Sequence, residues 1–320
     1  MKRAKKIWLI AAISLMAVGL IVFSGSLAAL DFDFSKLSTK KYETNTYEVN
    51  GDFDKISIDV TTTEIEFLPS DNEKCRIECF EEEKLKHSAV VKNGTLIIDT
   101  VYTGKWYDNI GVSFENAKMT VYLSENDYVS LSVNTDTGDV IIPKDFTFKN
   151  FKVYGSTANI VCHASASDTI EIRTDTGDIK ADTFSAEDMN LSTATGNITI
   201  NSAAVKGIID VETDTGKIQL TDVNCEKFAA ESDTGNISLK NVTAANLFSI
   251  ENDTGNVKFE SSDAASIFVK TNTGNVTGTL LSEKIFITET STGNVSVPKT
   301  ITGGKCEIMT DTGDIKIDIQ

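Results

Sequence analysis

"TDTGDI", at Thr174–Ile179, returns with small changes along the second half of the chain. TDTGDV begins at Thr135, TATGNI at Thr193, TDTGKI at Thr213, SDTGNI at Ser232, NDTGNV at Asn252, TNTGNV at Thr271, TSTGNV at Thr290 and a second TDTGDI at Thr310. A hexapeptide written nine times is either a ligand site in many copies or geometry the fold needs once per turn. The spacing separates the two. From glycine to glycine, with Ala158 of STANI filling one gap, the steps are 19 or 20 residues over ten units between Gly138 and Gly313. A chance motif does not keep register over 175 residues, whereas a solenoid repeat does.

Other columns repeat with it. With each corner glycine as position zero, position +2 is always β-branched, from Val140 and Ile160 to Val295 and Ile315. Positions −7 and −5 are mostly apolar, as in Leu131/Val133, Ile170/Ile172 and Ile209/Val211, and +4 usually is. Strand alternation puts −7, −5 and −3 on one face. The interval from −3 to +2 is odd, so a straight strand would send these inward columns to opposite sides. The chain must turn between them. The turning pairs are Thr137–Gly138, Thr176–Gly177, Thr195–Gly196, Thr215–Gly216, Thr234–Gly235, Thr254–Gly255, Thr273–Gly274, Thr292–Gly293 and Thr312–Gly313. Glycine supplies the backbone freedom of a tight corner, including φ > 0. Asp at −2 and Asn or Asp at +1 are suited to bond neighbouring backbone, and Thr at −1 to place its hydroxyl on the same ladder. Stacked coils predict an Asn ladder through Asn159, Asn197, Asn236, Asn256, Asn275 and Asn294.

The expected fold is therefore all-β, a right-handed parallel β-solenoid (β-helix) of about ten coils of 19–20 residues. Ten coils at about 4.8 Å each make a rod of roughly 48 Å. The extra residue of the longer coils falls between +5 and −8. That variable third side is where recognition is expected.

The start of the chain sets the address. Residues 1–6 are a basic tail carrying Lys2, Arg3, Lys5 and Lys6, and 7–30 are uncharged. Such a run is long enough for a transmembrane helix. SLA at Ser26–Ala28 also resembles a cleavage site, so a cleaved signal is the alternative to an anchor. Either way the positive-inside rule places residues 31–320 outside the cytoplasm, as a single-pass cell-membrane protein if the segment is retained. Residues 31–50 read as a polar stalk, 51–130 as an N-terminal β region and cap, and 131–320 as the regular repeats. ISIDVTTTEIEF from Ile56 aligns with LSVNTDTGDVII from Leu131, with Thr63 at the glycine position, which makes it a degenerate first coil. CRIECF, GTLIID and MTVYLS read as strands, and YTGKWYDNIGVSF from Tyr102 as an end cap or a binding loop.

Charge and composition narrow the function. The chain carries −17 overall, and residues beyond Lys6 hold 26 basic against 47 acidic groups. Nucleic acid and anionic membrane surfaces are excluded as bulk-charge partners, while cations or basic partners are favoured. Cys75 and Cys79 would lie about 13 Å apart along a strand, too far to bridge. Cys162 and Cys306 occupy apolar columns and read as buried hydrophobes. With His87 and His163 the only histidines, neither a metal centre nor a Ser/His/Asp arrangement is expected. The acids are spread by the repeat, without the clustered carboxylates of a polysaccharide-active β-helix, so no enzyme is expected. Calcium is the weaker alternative, through Asp136, Asp175, Asp214, Asp233, Asp253 and Asp311 at position −2. Ala194, Asn272 and Ser291 interrupt that column, and Asx turns are the simpler role.

The export segment, ISIDVTTTEIEF, NGTLII, MTVYLS and the serial TDTGDI/TGNI motifs together resemble the bacterial putative adhesin family of domains of unknown function, over about residues 50–320. The resemblance implies an envelope-located β-solenoid, at times associated with envelope stress systems, with no catalytic residues to carry over. The expected role is a structural or adhesin-like interaction module at the cell envelope. Its partner would be an envelope protein or a cell-surface polymer. The final coil, TDTGDIKIDIQ, ends at Gln320 with nothing after it, and is expected to be an open edge suited to end-to-end self-association.

Overall fold

The computed structural model describes residues 2–33, 38–71, 74–105, 113, 115–124 and 126–320. A helix, Lys2–Ala29, precedes a parallel β-solenoid whose coils stack in strict column register. Ile179, Ile198, Ile218, Ile237, Val257 and Val276 lie one over the next. So do Thr176, Thr195, Thr215, Thr234, Thr254 and Thr273. The columns predicted to face inward form one continuous apolar core from Ile56 to Ile317.

Each coil has three sides, and the second corner carries no glycine. Position +6 is left-handed in five consecutive coils: Thr183 (φ 56°), Ser202 (51°), Asp222 (56°), Asn241 (52°) and Ser261 (49°). The next residue points inward and is buried in each, namely Phe184, Ala203, Val223, Val242 and Ser262. From +4 to +7 is again an odd step, so the same parity forces the bend. Short polar side chains tolerate this region best, because they hydrogen-bond locally. The third corner absorbs the difference in coil length: register shifts lie at Cys225/Lys227 and Ala244/Leu247.

The N-terminal end is closed by six strands of mixed pairing. These are β1 (Tyr42–Glu48), β2 (Lys55–Pro69), β3 (Arg76–Glu82), β4 (Leu85–Lys92), β5 (Thr95–Tyr102) and β6 (Ala117–Leu123). β2 is the degenerate coil, with Ile56 over Leu131 and Ile65 over Val140. β5 and β6 add one layer beneath it, in parallel. β1–β3–β6 and β4–β5 pair antiparallel and cover that layer. Tyr42–Glu48, given to a stalk on composition, is thus a strand of this cap. Most of the Trp106 segment expected to cap the rod or bind falls outside the described residues.

At the C-terminal end the coils are out of sequence order. The Gly274 coil stacks on the Gly313 coil, with Ile267 opposite Cys306 and Val276 opposite Ile315. The Gly313 coil in turn carries the Gly293 coil, with Phe286 opposite Cys306 and Val295 opposite Ile315. The last coil of the chain is therefore internal. Ile315 and Ile317 are fully buried, and the expected open edge at TDTGDIKIDIQ does not exist. The open coil is Lys284–Ser296 instead. Burial accounts for the order. The terminal coil offers Ile308 at −5, whereas the Gly293 coil offers Thr288, so the more apolar coil takes the position with two neighbours.

Candidate functional site

The Thr-Gly corners stack into one edge of the rod. A Cβ at Gly235 would lie 1.6 Å from the Gly216 carbonyl oxygen, and at Gly177 2.0 Å from that of Ala158. Close approach of adjacent coils, more than dihedral freedom, demands glycine here: Gly177 has φ 142°, but Gly216, Gly235, Gly274 and Gly293 are outside the left-handed window.

Two hydrogen-bond ladders climb this edge. At +1, each backbone N–H donates to the side-chain oxygen of the preceding layer. Asn159 donates to Asp139 (2.9 Å), Asp178 to Asn159 (3.0 Å), Asn197 to Asp178 (2.7 Å) and Lys217 to Asn197 (3.0 Å). Lys217 has no acceptor to offer Asn236, and the ladder restarts with Asn256 on Asn236 (2.8 Å). Asp and Asn serve equally, so the ladder is longer than its asparagines. At −3, Thr174, Thr193 and Thr213 each donate a hydroxyl to the corner carbonyl of the layer before, at 3.1 Å. Thr at −1, expected on the ladder, is exposed in these coils; the buried rung is the Thr two residues earlier. Ser232 is the weak rung, its buried hydroxyl unpartnered among the described residues.

The Asp column at −2 lies on the exposed side of the same edge. Asp253 accepts from Asn272 at 2.8 Å. Among the described residues no three of these carboxylates converge on one point. They do join a wider acidic face. Asp210, Glu212 and Asp214 of one coil, Glu231 and Asp233 of the next, and Glu251 and Asp253 of the third share outward columns. The pKa of Glu231 is raised, by burial and by repulsion from Glu212, Glu251, Asp233 and Asp210. The acids are therefore not evenly spread, contrary to the sequence reading. Aligning positions −6, −4 and −2 coil by coil would have revealed the cluster.

A second constellation, buried in the cap, escaped sequence reasoning. Glu81 is wholly buried, and its Oε2 accepts from the His87 backbone N–H (2.7 Å) and lies 2.6 Å from His87 Nδ1. Glu81 Oε1 accepts from Asn45 Nδ2 (2.8 Å) and Tyr47 Oη (2.6 Å). His87 Nε2 lies 3.2 Å from Thr63 Oγ1. Thr63, His87 and Glu81 thus have the connectivity of a hydroxyl–imidazole–carboxylate relay, and Cys79, Glu81 and His87 place S, O and N donors within 4.8 Å of one another. Neither chemistry is supported by the surroundings. Thr63 is 3% exposed and lines none of the recesses described below. Both Glu81 oxygens already hold donors, and burial together with the Glu81 charge pushes the Cys79 thiol far up, away from the thiolate a metal takes. Burial works to raise the Glu81 pKa, but bonds from His87, Tyr47 and Asn45 prevail and lower it. The cluster is a satisfied polar clasp joining β1, β2, β3 and β4. The only hint in sequence was His87 and Glu81 at inward positions of neighbouring strands.

All five cysteines are free and buried. Burial pushes the thiols of Cys162 and Cys306 up to about 12.

The third side carries two neighbouring concavities. One recess of about 650 Å³ is lined by Ser165, Ser185, Ala204, Asn224 and their neighbours. Another of about 640 Å³ continues along the same columns through Thr243, Asp263 and Ser282. Successive coils contribute one small outward side chain each, which leaves a trough parallel to the rod axis.

Comparison with known proteins agrees with this architecture. No curated protein sequence matches the chain. Among solved structures, a putative lipid binding protein from Parabacteroides distasonis matches with a TM-score of 0.52 at 16% identity, covering 88% of this chain and 98% of that one. A putative adhesin from the same organism matches with a TM-score of 0.50 at 12% identity, covering 87% and 98%. At these identities the likeness is one of fold. The sequence profile of the Toastrack DUF4097 family matches residues 53–209 and 206–320, and the chain belongs to that family.

Proposed function

We propose that this chain is a membrane-anchored, extracytoplasmic interaction module of the bacterial envelope, non-enzymatic, with the trough on its third side as the binding face. The trough carries this reading. The corner edge has a recess of about 540 Å³ of its own, but the Asp139 and Asn159 side chains that line it are already engaged in the ladder. The trough is a concave track in which consecutive coils present Ser, Ala, Asn and Thr to one extended ligand. A periodic track of small polar groups suits a linear polymer or an extended peptide better than a compact metabolite. The anchor is the helix Lys6–Ala29, long and apolar enough to span a membrane with mean hydropathy 2.5. Support also comes from the Parabacteroides adhesin fold. Full-length chain in detergent, immobilised and exposed to solubilised envelope, tests it. Ser185→Arg with Ala204→Arg, both at exposed positions, is expected to lose what the wild type retains. Identical retention by both proteins would reject the trough as the binding face.

A further inference from the structure

We propose that the open Gly293 coil docks a second copy of this chain, end to end about a two-fold axis. The observations begin with the ladder. Lys284–Thr292 and Val295–Ser296 each have a strand neighbour on one side only, among the described residues. In the coils beneath, the corner glycine N–H donates to the next layer, as Gly274 does to Thr312 and Gly313 to Thr292, both at 2.9 Å. Gly293 and Val295 have no next layer. This is the unpaired edge that sheet proteins otherwise cover or charge.

Here it is neither. Ile285 is 45% exposed, Ile287 50%, Val295 45% and Ile301 92%. Elsewhere in the coils, among the described residues, the exposed large hydrophobics are Val129, Ile208 and Leu281, the last only three residues before Lys284. Residues 284–303 hold one acid, Glu289, and two lysines, of which Lys284 is buried against Asp263 at 2.6 Å. The end is thus almost neutral on a body with 26 basic and 47 acidic residues beyond Lys6. That charge pattern selects the occupant. A basic partner would be drawn to the acidic face around Glu231 and finds only Glu289, offset by Lys299, at this end. A second copy is repelled everywhere except where both surfaces are neutral and apolar, which is this end meeting itself. Head-to-tail stacking is blocked, because β1, β3 and β4 cover the other end with antiparallel strands. The contact is therefore isologous and closes at two copies.

Sedimentation of the full chain in density-matched detergent tests this. The wild type is expected to carry two chains per particle. Ile285→Lys with Ile287→Lys, both outward, is expected to carry one with an unchanged melting temperature. Val295→Lys, on the other strand of the coil, gives a second disruption should the double variant melt early. Ile208→Lys, exposed at mid-rod, is expected to stay at two. A wild type with one chain at every accessible concentration overturns the proposal and leaves the end to a different partner. Two chains persisting in the end variants also overturns it, and assigns the contact to the anchor helix.

Discussion

Asn275 Oδ1 accepts the backbone N–H of Asp314 at 2.7 Å, although 39 residues separate them. The ladder partner expected from sequence order is Asn294, which instead donates to Asp314 Oδ1 at 2.8 Å. The pair thus records the exchange of the last two coils. Asn272 and Asp311 flank stacked partners, Thr271 with Thr310 and Thr273 with Thr312. Both are exposed at position −2. Asn272→Cys with Asp311→Cys is expected to form a disulfide on mild oxidation, since stacked neighbours are within bridging reach. Asn272→Cys with Ser291→Cys, two layers apart, is not. The native cysteines are buried and do not compete. Bridging of 272 to 291 but not to 311 would restore the sequential order.

The repeat made the solenoid legible, because inward parity and the Thr-Gly corner are local properties of one coil. The exchange was not, because both coils carry the same corner and either fits the Gly274 layer. One mark of it was present. Gly303–Gly304 lies outside the repeat grammar, at the crossing where the chain steps back one layer. A Cβ at Gly303 would meet the Glu283 carbonyl at 1.8 Å, and one at Gly304 that of Ala265 at 1.7 Å. The left-handed corner at Thr183 and Ser202 was hidden for a different reason. No residue type is unique to it, and only the odd step to Phe184 and Ala203 betrays it. The Glu81 clasp was illegible because its members come from four strands whose pairing the sequence does not specify.

The corner glycines respond to stacking clearance, so the smallest side chain is already too large. Gly235→Ala is expected to cost about 1–3 kcal/mol, the range for forcing atoms into a packed site. Lys240→Ala, exposed and paired at 3.3 Å with Glu260, is expected to change stability by under about 1 kcal/mol. Chemical denaturation of the two variants decides it. Equal midpoints would mean that adjacent coils relax apart without cost.

The clasp in the cap predicts acid sensitivity with a definite sign. The folded Glu81 carboxyl has a lowered pKa, so its contribution is fully present above the unfolded value of about 4.3. That contribution is lost as pH falls through the lower folded value. Glu81→Gln keeps the shape and removes the charge. It is expected to lower stability at pH 7 by roughly 3 kcal/mol, the cost of breaking a buried charged network. The gap from wild type should narrow steadily below about pH 4. A gap that stays constant from neutral to acid pH would show that Glu81 is not ionised in the fold.

On the acidic face the sign reverses. The raised pKa of Glu231 means that its ionisation opposes the fold, so stability falls as pH rises through its folded value. Glu231→Gln is expected to raise the melting temperature slightly at neutral pH and low salt. The side chain is exposed, so the gain should vanish near physiological ionic strength, where the Debye length is about 8 Å. Calcium would act on the same carboxylates. If Asp214, Asp233 and Asp253 only repel one another, calcium stabilises by screening, and magnesium at equal concentration does the same. A specific site would instead give a saturable rise with calcium alone, abolished by Asp233→Ala. That result would turn this face from a repulsive stripe into an ion-clamped one. It would also reassign the −2 column from corner to ligand.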